Sequence, residues 1–286
     1  MKVLIAGSAG QLGRALQATA PAGVTVIAPP EVDFDICDPE AVARVVAAAA
    51  PALVINAAAY TAVDKAETEA AAAQRVNVNA VGLLASAARN AGAGFVHVST
   101  DFIFDGTAHL PYPPDALPNP LGVYGRTKLE GEEAARDLHG NPLIVRTAWV
   151  YAAKGANFVA TMLRLMRERS ELGVVADQIG TPTHVPTLAR TIWTLAQGGH
   201  TGTFHATDAG VASWYDFAVA IHEEALALGL LTTPVTVKPI RTSDYPTPAQ
   251  RPAYSVLDKS ATWALTGIPN HWRVELRACL QELARG

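Results

Sequence analysis

The stretch KVLIAGSAGQLG, Lys2 to Gly13, decides how the rest of the chain is read. Its first half is a short apolar run ending in glycine, the pattern of a buried strand. Its second half, Gly7 to Gly13, has the spacing G-x-x-G-x-x-G, and a helical pattern follows from Gln11 to about Ala20. Glycines between a strand and a helix permit a tight turn and a close approach of backbone to a pyrophosphate. The helix N-terminus then offers N–H groups and partial positive charge. The stretch therefore predicts a dinucleotide loop built on Gly7, Gly10 and Gly13.

Working outward, strands and helices alternate. Val24–Ala28, Leu53–Ala59, Gly94–Thr100 and Pro142–Tyr151 read as strands, and Pro39–Ala50 and Glu67–Ala91 as helices. A further helix carries VYGRTK, Val123 to Lys128. This alternation predicts an α/β fold, a Rossmann-like doubly wound parallel sheet with ligands beyond the carboxyl ends of its strands. After Tyr151 the pattern loosens. Phe158–Glu168 and Thr187–Ala196 read as helices, Asp177–Pro186 as a loop, and Gly202–Asp208 as a strand rejoining the sheet. Helices near Trp214–Leu228 and Val274–Ala284 follow. The expected division is a dinucleotide-binding domain at 1–150 plus about 184–208, and a smaller substrate-binding lobe at about 151–183 plus 209–286.

Composition excludes several classes. The 286 residues carry 22 Lys plus Arg against 26 Asp plus Glu, with no basic cluster, so no nucleic-acid partner is expected. Cys37 and Cys279 lack both a disulfide framework and metal-ligand spacing, which fits a reduced, cytoplasmic setting. The N-terminal apolar run is too short for a signal peptide. The most apolar long window, Ala41–Ala59, contains Arg44, Pro51 and Asn56, so no membrane span is expected.

A ribose partner belongs roughly 20 residues after the glycine loop. That region reads APPEVDFDI, with Pro29 and Pro30 at the expected place and Glu31 and Asp33 as nearby acids. No basic residue follows the second strand before Arg44, although Arg14 stands just after the loop. Asp35 and Ile36 are positioned to flank an adenine.

Thr100 ends the fourth strand, and Tyr124 and Lys128 lie four apart on the helix after it, which puts them on one helix face. Hydroxyl, phenol and ammonium at the carboxyl edge of a dinucleotide fold form a proton-transfer set. A free phenol releases its proton near pH ~10, and a neighbouring ammonium is expected to bring Tyr124 toward the working range.

With these motifs the chain resembles the extended short-chain dehydrogenase/reductase family. The resemblance is carried by Gly7–Gly13, VINAAAYTAVDKAE (Val54–Glu67), STDFIFDG (Ser99–Gly106), PLGVYGRTKLEGE (Pro120–Glu132), RTAWVY (Arg146–Tyr151), DQIGTPT (Asp177–Thr183) and YPTPAQRPAYSVL (Tyr245–Leu257). It implies Thr100, Tyr124 and Lys128 as the catalytic set. It implies cofactor contacts at Gly10, Gln11, Leu12, Asp35, Ile36, Ala59, Tyr60 and Thr61, with Tyr124 and Lys128, and substrate contacts at Thr100, Asp101 and Trp149. The implied reaction is NADPH-dependent reduction, with NADH as a second donor, of the 4-keto group of dTDP-4-dehydro-L-rhamnose to dTDP-L-rhamnose. The implied partner is a nucleotide sugar, and the chain a monomer or homodimer. Some relatives hold a metal in dimerisation, but no acidic cluster here marks such a site.

Alternatives stand beside these. An epimerase or dehydratase of the same fold, or a regulatory subunit similar to that of methionine adenosyltransferase, shares the fold. Trp149 packs into the core or against a sugar ring. Asp101 binds substrate or caps the next turn. Asp177 and Gln178 are expected to hold their own loop. Arg251 pairs with a diphosphate or is solvated, and Asn157 is a further candidate.

Overall fold

The computed structural model describes residues 1–285. In chain order the first half contains β1 (Lys2–Ala6), α1 (Gln11–Ala18), β2 (Thr25–Ile27), α2 (Pro39–Ala49), β3 (Leu53–Asn56), α3 (Val63–Ala66), α4 (Ala70–Gln74), α5 (Ala80–Asn90), β4 (Gly94–Thr100), α6 (Val123–His139) and β5 (Leu143–Thr147). The second half contains β6 (Val150–Tyr151), α7 (Phe158–Glu168), β7 (Glu171–Val175), β8 (Ile179–Gly180), β9 (Thr183–His184), α8 (Val185–Gln197), β10 (Gly202–His205), β11 (Ala212–Ser213), α9 (Trp214–Ala227), β12 (Thr236–Ile240), α10 (Ser260–Thr266) and α11 (Trp272–Ala284).

The six strands β10-β5-β4-β3-β1-β2 form one sheet in which every neighbouring pair is parallel. The fold is α/β and Rossmann-like, as the alternating pattern predicts. β1, β3 and β4 are nearly continuous runs of buried apolar residues because helices cover both sheet faces. One face packs on α1 and α8 through Leu16, Ile192 and Trp193. The other packs on α2 and α5 through Val42, Val81 and Leu84. The chain reverses its direction of strand addition between β1 and β3, so the crevice of this doubly wound sheet opens there.

A second apolar cluster joins α7, α9 and α11 to the β7–β12 pair, centred on Leu163, Phe217, Ile221 and Leu276. The two-residue pairs β6–β9 and β8–β11 are ladders of their own outside the six-stranded sheet. No helix among the described residues is long and apolar enough to cross a membrane.

The sequence reading lacks α3, β7, β12 and α10, and it differs from the structure at three further places. The stretch from Glu67 to Ala91 is not one helix. It holds α4, a π-helical turn at Arg75–Asn79, and α5. The π turn aims the Asn77 side chain inward, where Oδ1 accepts the Tyr60 N–H at 2.9 Å and Nδ2 donates to the Tyr60 carbonyl and Thr127 Oγ1. The strand expected to run unbroken to Tyr151 ends at Thr147, because Trp149 takes φ +47°, a left-handed conformation that a bulky side chain rarely adopts. The expected loop at Asp177–Pro186 contains β8 and β9 and the start of α8.

Candidate active site

The glycine loop closes on itself through backbone contacts. The Gly10 N–H donates to the Gly7 carbonyl at 3.1 Å, and Gly10 then opens α1 with no side-chain cap and no acid in the first turn. A Cβ on Gly13 would stand 2.1 Å from the Gly7 oxygen, and one on Gly7 would stand 2.6 Å from the Ala58 nitrogen. The loop therefore presses on both its own helix and the segment after β3, across the switch point. A Cβ on Gly10 would meet only the Gly7 oxygen, at 3.3 Å, so its outer face is open. Free helix N–H groups, an open glycine face and no competing carboxylate fit a dinucleotide pyrophosphate.

Gln11 turns from this loop toward residues 152–157, and Arg14 bridges the loop to the same segment. Gln11 Oε1 accepts from Asn157 Nδ2 at 2.9 Å, and Arg14 donates to the Ala9 and Lys154 carbonyls. Leu12 is buried in the core beneath. Asn157 caps α7 by accepting the Ala160 N–H, so it ties the glycine loop to the second apolar cluster.

At the other end of the crevice, Ile36 is buried and Asp35 is exposed. Asp35 accepts the Cys37 N–H at 2.8 Å and pairs with Arg75 at 3.5 Å. Arg75 is the cation that the sequence reading lacked. It lies 40 residues beyond Asp35, in the π turn that follows β3, α3 and α4 in the chain, and reaches Asp35 across the crevice. Glu31, Val32, Cys37 and Val76 complete an open groove around the pair. Glu31 and Asp33 are exposed. Ala59, Tyr60 and Thr61 form the loop after β3, and Tyr60 is held by Asn77 and by its hydroxyl, which donates to Glu69 at 2.5 Å.

Thr100, Asp101, Tyr124 and Lys128 meet at the end of β4. Thr100 Oγ1 accepts the Phe102 N–H and donates to Asp101 Oδ1 at 3.0 Å, so Thr100, not Asp101, caps the turn. Asp101 is 1% exposed, and its Oδ2 has no hydrogen-bond partner. Burial raises its pKa to about 6, against the pull of the Ser255 and Thr100 hydroxyls. α6 lies close over this turn because Gly125 and Gly131 lack side chains; a Cβ there would meet the Phe102 and Asn77 carbonyls at 2.2 and 2.1 Å. The α6 N-terminus has Gly122 as its cap residue, and Glu67 Oε1 accepts the Val123 N–H at 2.8 Å in place of a local cap. The Tyr124 ring stands edge-on to Phe102, 5.6 Å between centroids.

The expected tuning of Tyr124 by Lys128 is corrected by this geometry. Lys128 is 2% exposed, so its ammonium needs a buried acceptor, and Nζ donates to the Val98 carbonyl at 2.7 Å, not to the phenol. Burial pushes the Tyr124 hydroxyl up to about 12, Asp101 adds to the rise, and only Thr100 opposes it. Burial lowers Lys128 to about 8, and Glu132 opposes that shift. Glu132 is fully buried and receives a two-pronged Arg146 contact, 2.8 Å on each arm, with Arg136 at 2.8 Å.

Trp149 stacks on Trp214 at 3.5 Å and 6°, and Gly180 makes room for the indole edge. Arg251 is neither free nor solvated: it forms a bidentate pair with Asp64 at 3.0 and 2.8 Å, fastening the proline-rich segment to the region after β3. Asp177 and Gln178 hold Thr242 of a separate loop, not their own. Among the described residues no group of three or more His, Cys, Asp and Glu is placed to hold a metal ion. Asn77, Glu67, Arg75 and Ser255 escaped the sequence reading, and a buried asparagine inside an apolar helical run was the available signal for the first.

Comparison with known proteins matches this arrangement along its length. Residues 1–285 match the family model described as the RmlD substrate binding domain. The dTDP-4-dehydrorhamnose reductase of Burkholderia thailandensis is 43% identical, covering 99% of both chains. The crystal structure of a dTDP-4-dehydrorhamnose reductase from Clostridium acetobutylicum is 42% identical, with TM-score 0.93 and 99% of both chains covered. That of the Bacillus anthracis reductase in complex with NADP is 36% identical, with TM-score 0.92, covering 98% of this chain and 99% of that one.

Proposed function

The chain belongs to the RmlD substrate binding domain family, and on that membership we propose that it reduces dTDP-4-dehydro-L-rhamnose to dTDP-L-rhamnose with NADPH. The observation that carries the reading is the half-buried Tyr124 phenol beside Thr100, at the carboxyl edge of β4, in the same fold as the glycine loop. NADPH supplies a hydride when bound. Gly7, Gly10 and Gly13 give its pyrophosphate a backbone cradle, and Arg75 puts a cation at the adenine end. Tyr124 stays protonated through the neutral range and donates that proton to the sugar O4 as the carbon is reduced. Thr100 and Asp101 fix the phenol's surroundings and receive the sugar. Lys128, half charged near pH 8, offers positive charge to the phenolate that the proton leaves behind.

A dehydratase would want further carboxylates beside the threonine, and here Asp101 is followed by Phe102 and Ile103. The test is stoichiometry. One NADPH consumed per dTDP-L-rhamnose formed, with no conversion when NADPH is omitted, is the expected result. Conversion of a nucleotide sugar without net NADPH consumption would move the assignment to an epimerase or dehydratase.

A further inference from the structure

Beneath the site runs a buried polar chain that none of the roles above uses. Asn56 ends β3, fully buried; its Oδ1 accepts the Ala58 N–H at 3.1 Å and its Nδ2 stands 3.2 Å from His97 Nδ1. His97, fully buried on β4, places Nε2 3.4 Å from Lys128 Nζ. The sense of this chain is fixed from its backbone end. The Ala58 N–H is a donor, so the amide oxygen faces it and the NH2 faces the ring. Nδ1 is therefore an acceptor. Burial, with the Lys128 and Arg136 charges, holds the ring's pKa well below its ordinary value, so the imidazole is neutral and its one proton sits on Nε2. That N–H points at Nζ. An ammonium has three donors and no acceptor, so it meets the ring donor to donor, whereas a free amine accepts it.

We propose that Asn56 and His97 are positioning residues for Lys128: by locking the imidazole as its Nε2–H tautomer, they favour the free amine and set the pH at which Lys128 becomes charged. The other groups around Nζ are fixed in sense. The Val98 carbonyl favours the ammonium, as does Glu132, whose charge is largely engaged by Arg146 and Arg136, while burial opposes it. His97 is the neighbour whose hydrogen-bond sense can be reversed, and Asn56 decides it. The consequence for turnover rests on the role of Lys128 given above; the tautomer and the titration do not.

Two readouts on the free protein test this. With 15N-labelled histidine, His97 is expected to show an unprotonated Nδ1 and a protonated Nε2 across the neutral range. With 13Cε-labelled lysine, the Lys128 midpoint is expected to rise by about one pH unit in His97→Leu, which removes the N–H at Nζ, and to stay near the native value in His97→Gln, whose amide gives its oxygen to Asn56 Nδ2 and its NH2 to Nζ. The matching limb of the pH–rate profile should move the same way. An Nδ1–H tautomer, a cationic ring, or an unchanged midpoint in His97→Leu overturns the proposal. Failure of the reductase reading is separate: it is absent turnover from protein in which Lys128 titrates as described.

Discussion

Replacing Arg146 with methionine should destabilise the protein by an amount that depends on pH. Arg146 and Glu132 are 3% and 0% exposed and share two 2.8 Å contacts, so the substitution strands a buried carboxylate with Arg136 alone. Removing one partner of a buried pair costs ~3–5 kcal/mol. Glu132 has a cheaper exit, which is to bind a proton. From an ordinary pKa of ~4.3, protonation at pH 7 costs about 3.7 kcal/mol, which sets a ceiling there. Arg136 retains part of the charge, so a loss of about 2–3 kcal/mol is expected at pH 7. In the native protein the Arg146 contact holds the Glu132 carboxyl below its usual range against burial, so its ionisation stabilises above the unfolded value and that contribution fades as pH falls. In the variant the folded value rises above the unfolded one, and the loss grows with pH at up to about 1.4 kcal/mol per unit. The Pro114 carbonyl also loses its Arg146 donor, a pH-independent part of ~1 kcal/mol. Urea unfolding followed by tryptophan fluorescence, with Trp193 in the core beside the sheet, measures the difference at pH 5 and pH 8. Adding Glu132→Leu should recover at least half of the loss at pH 8. Equal losses at both pH values, or no recovery in the double variant, would refute the stranded-charge reasoning.

Further outcomes follow from the site. Asp101→Asn should remove a transition near pH 6 from the kcat profile, since the native carboxyl gains its charge there and that charge raises Tyr124; persistence of the transition would assign it elsewhere. Gly13→Ala should raise the Kd for NADPH about tenfold or more, read by fluorescence titration, because its Cβ would lie 2.1 Å from the Gly7 oxygen. Arg75→Ala should weaken NADPH more than NADH, by roughly tenfold if Arg75 contacts the extra phosphate, and equal weakening would count against that contact.

The sheet was readable because its signals are local. Glycine follows β1, apolar runs mark β3 and β4, and Thr100 and Tyr124 stand at element ends. What escaped was decided across the chain. β7 and β12 are half-exposed strands that pair only with each other, and Pro239 within β12 hides it further. The break at Trp149 depends on Trp214, which lies 65 residues away. Spacing correctly puts Lys128 on one helix face with Tyr124, but the direction of Nζ follows from the Val98 carbonyl, which no helical spacing reveals. Arg75 and Asp35 meet because a helix after β3 returns to the end of β2.

The most direct measurement is the loss of nicotinamide absorbance with dTDP-4-dehydro-L-rhamnose and NADPH, comparing the native chain with Tyr124→Phe. With Tyr124 as the proton donor, turnover should fall by about 10²–10⁴-fold while NADPH binding is kept. Turnover by the phenylalanine variant at the native rate would contradict that role.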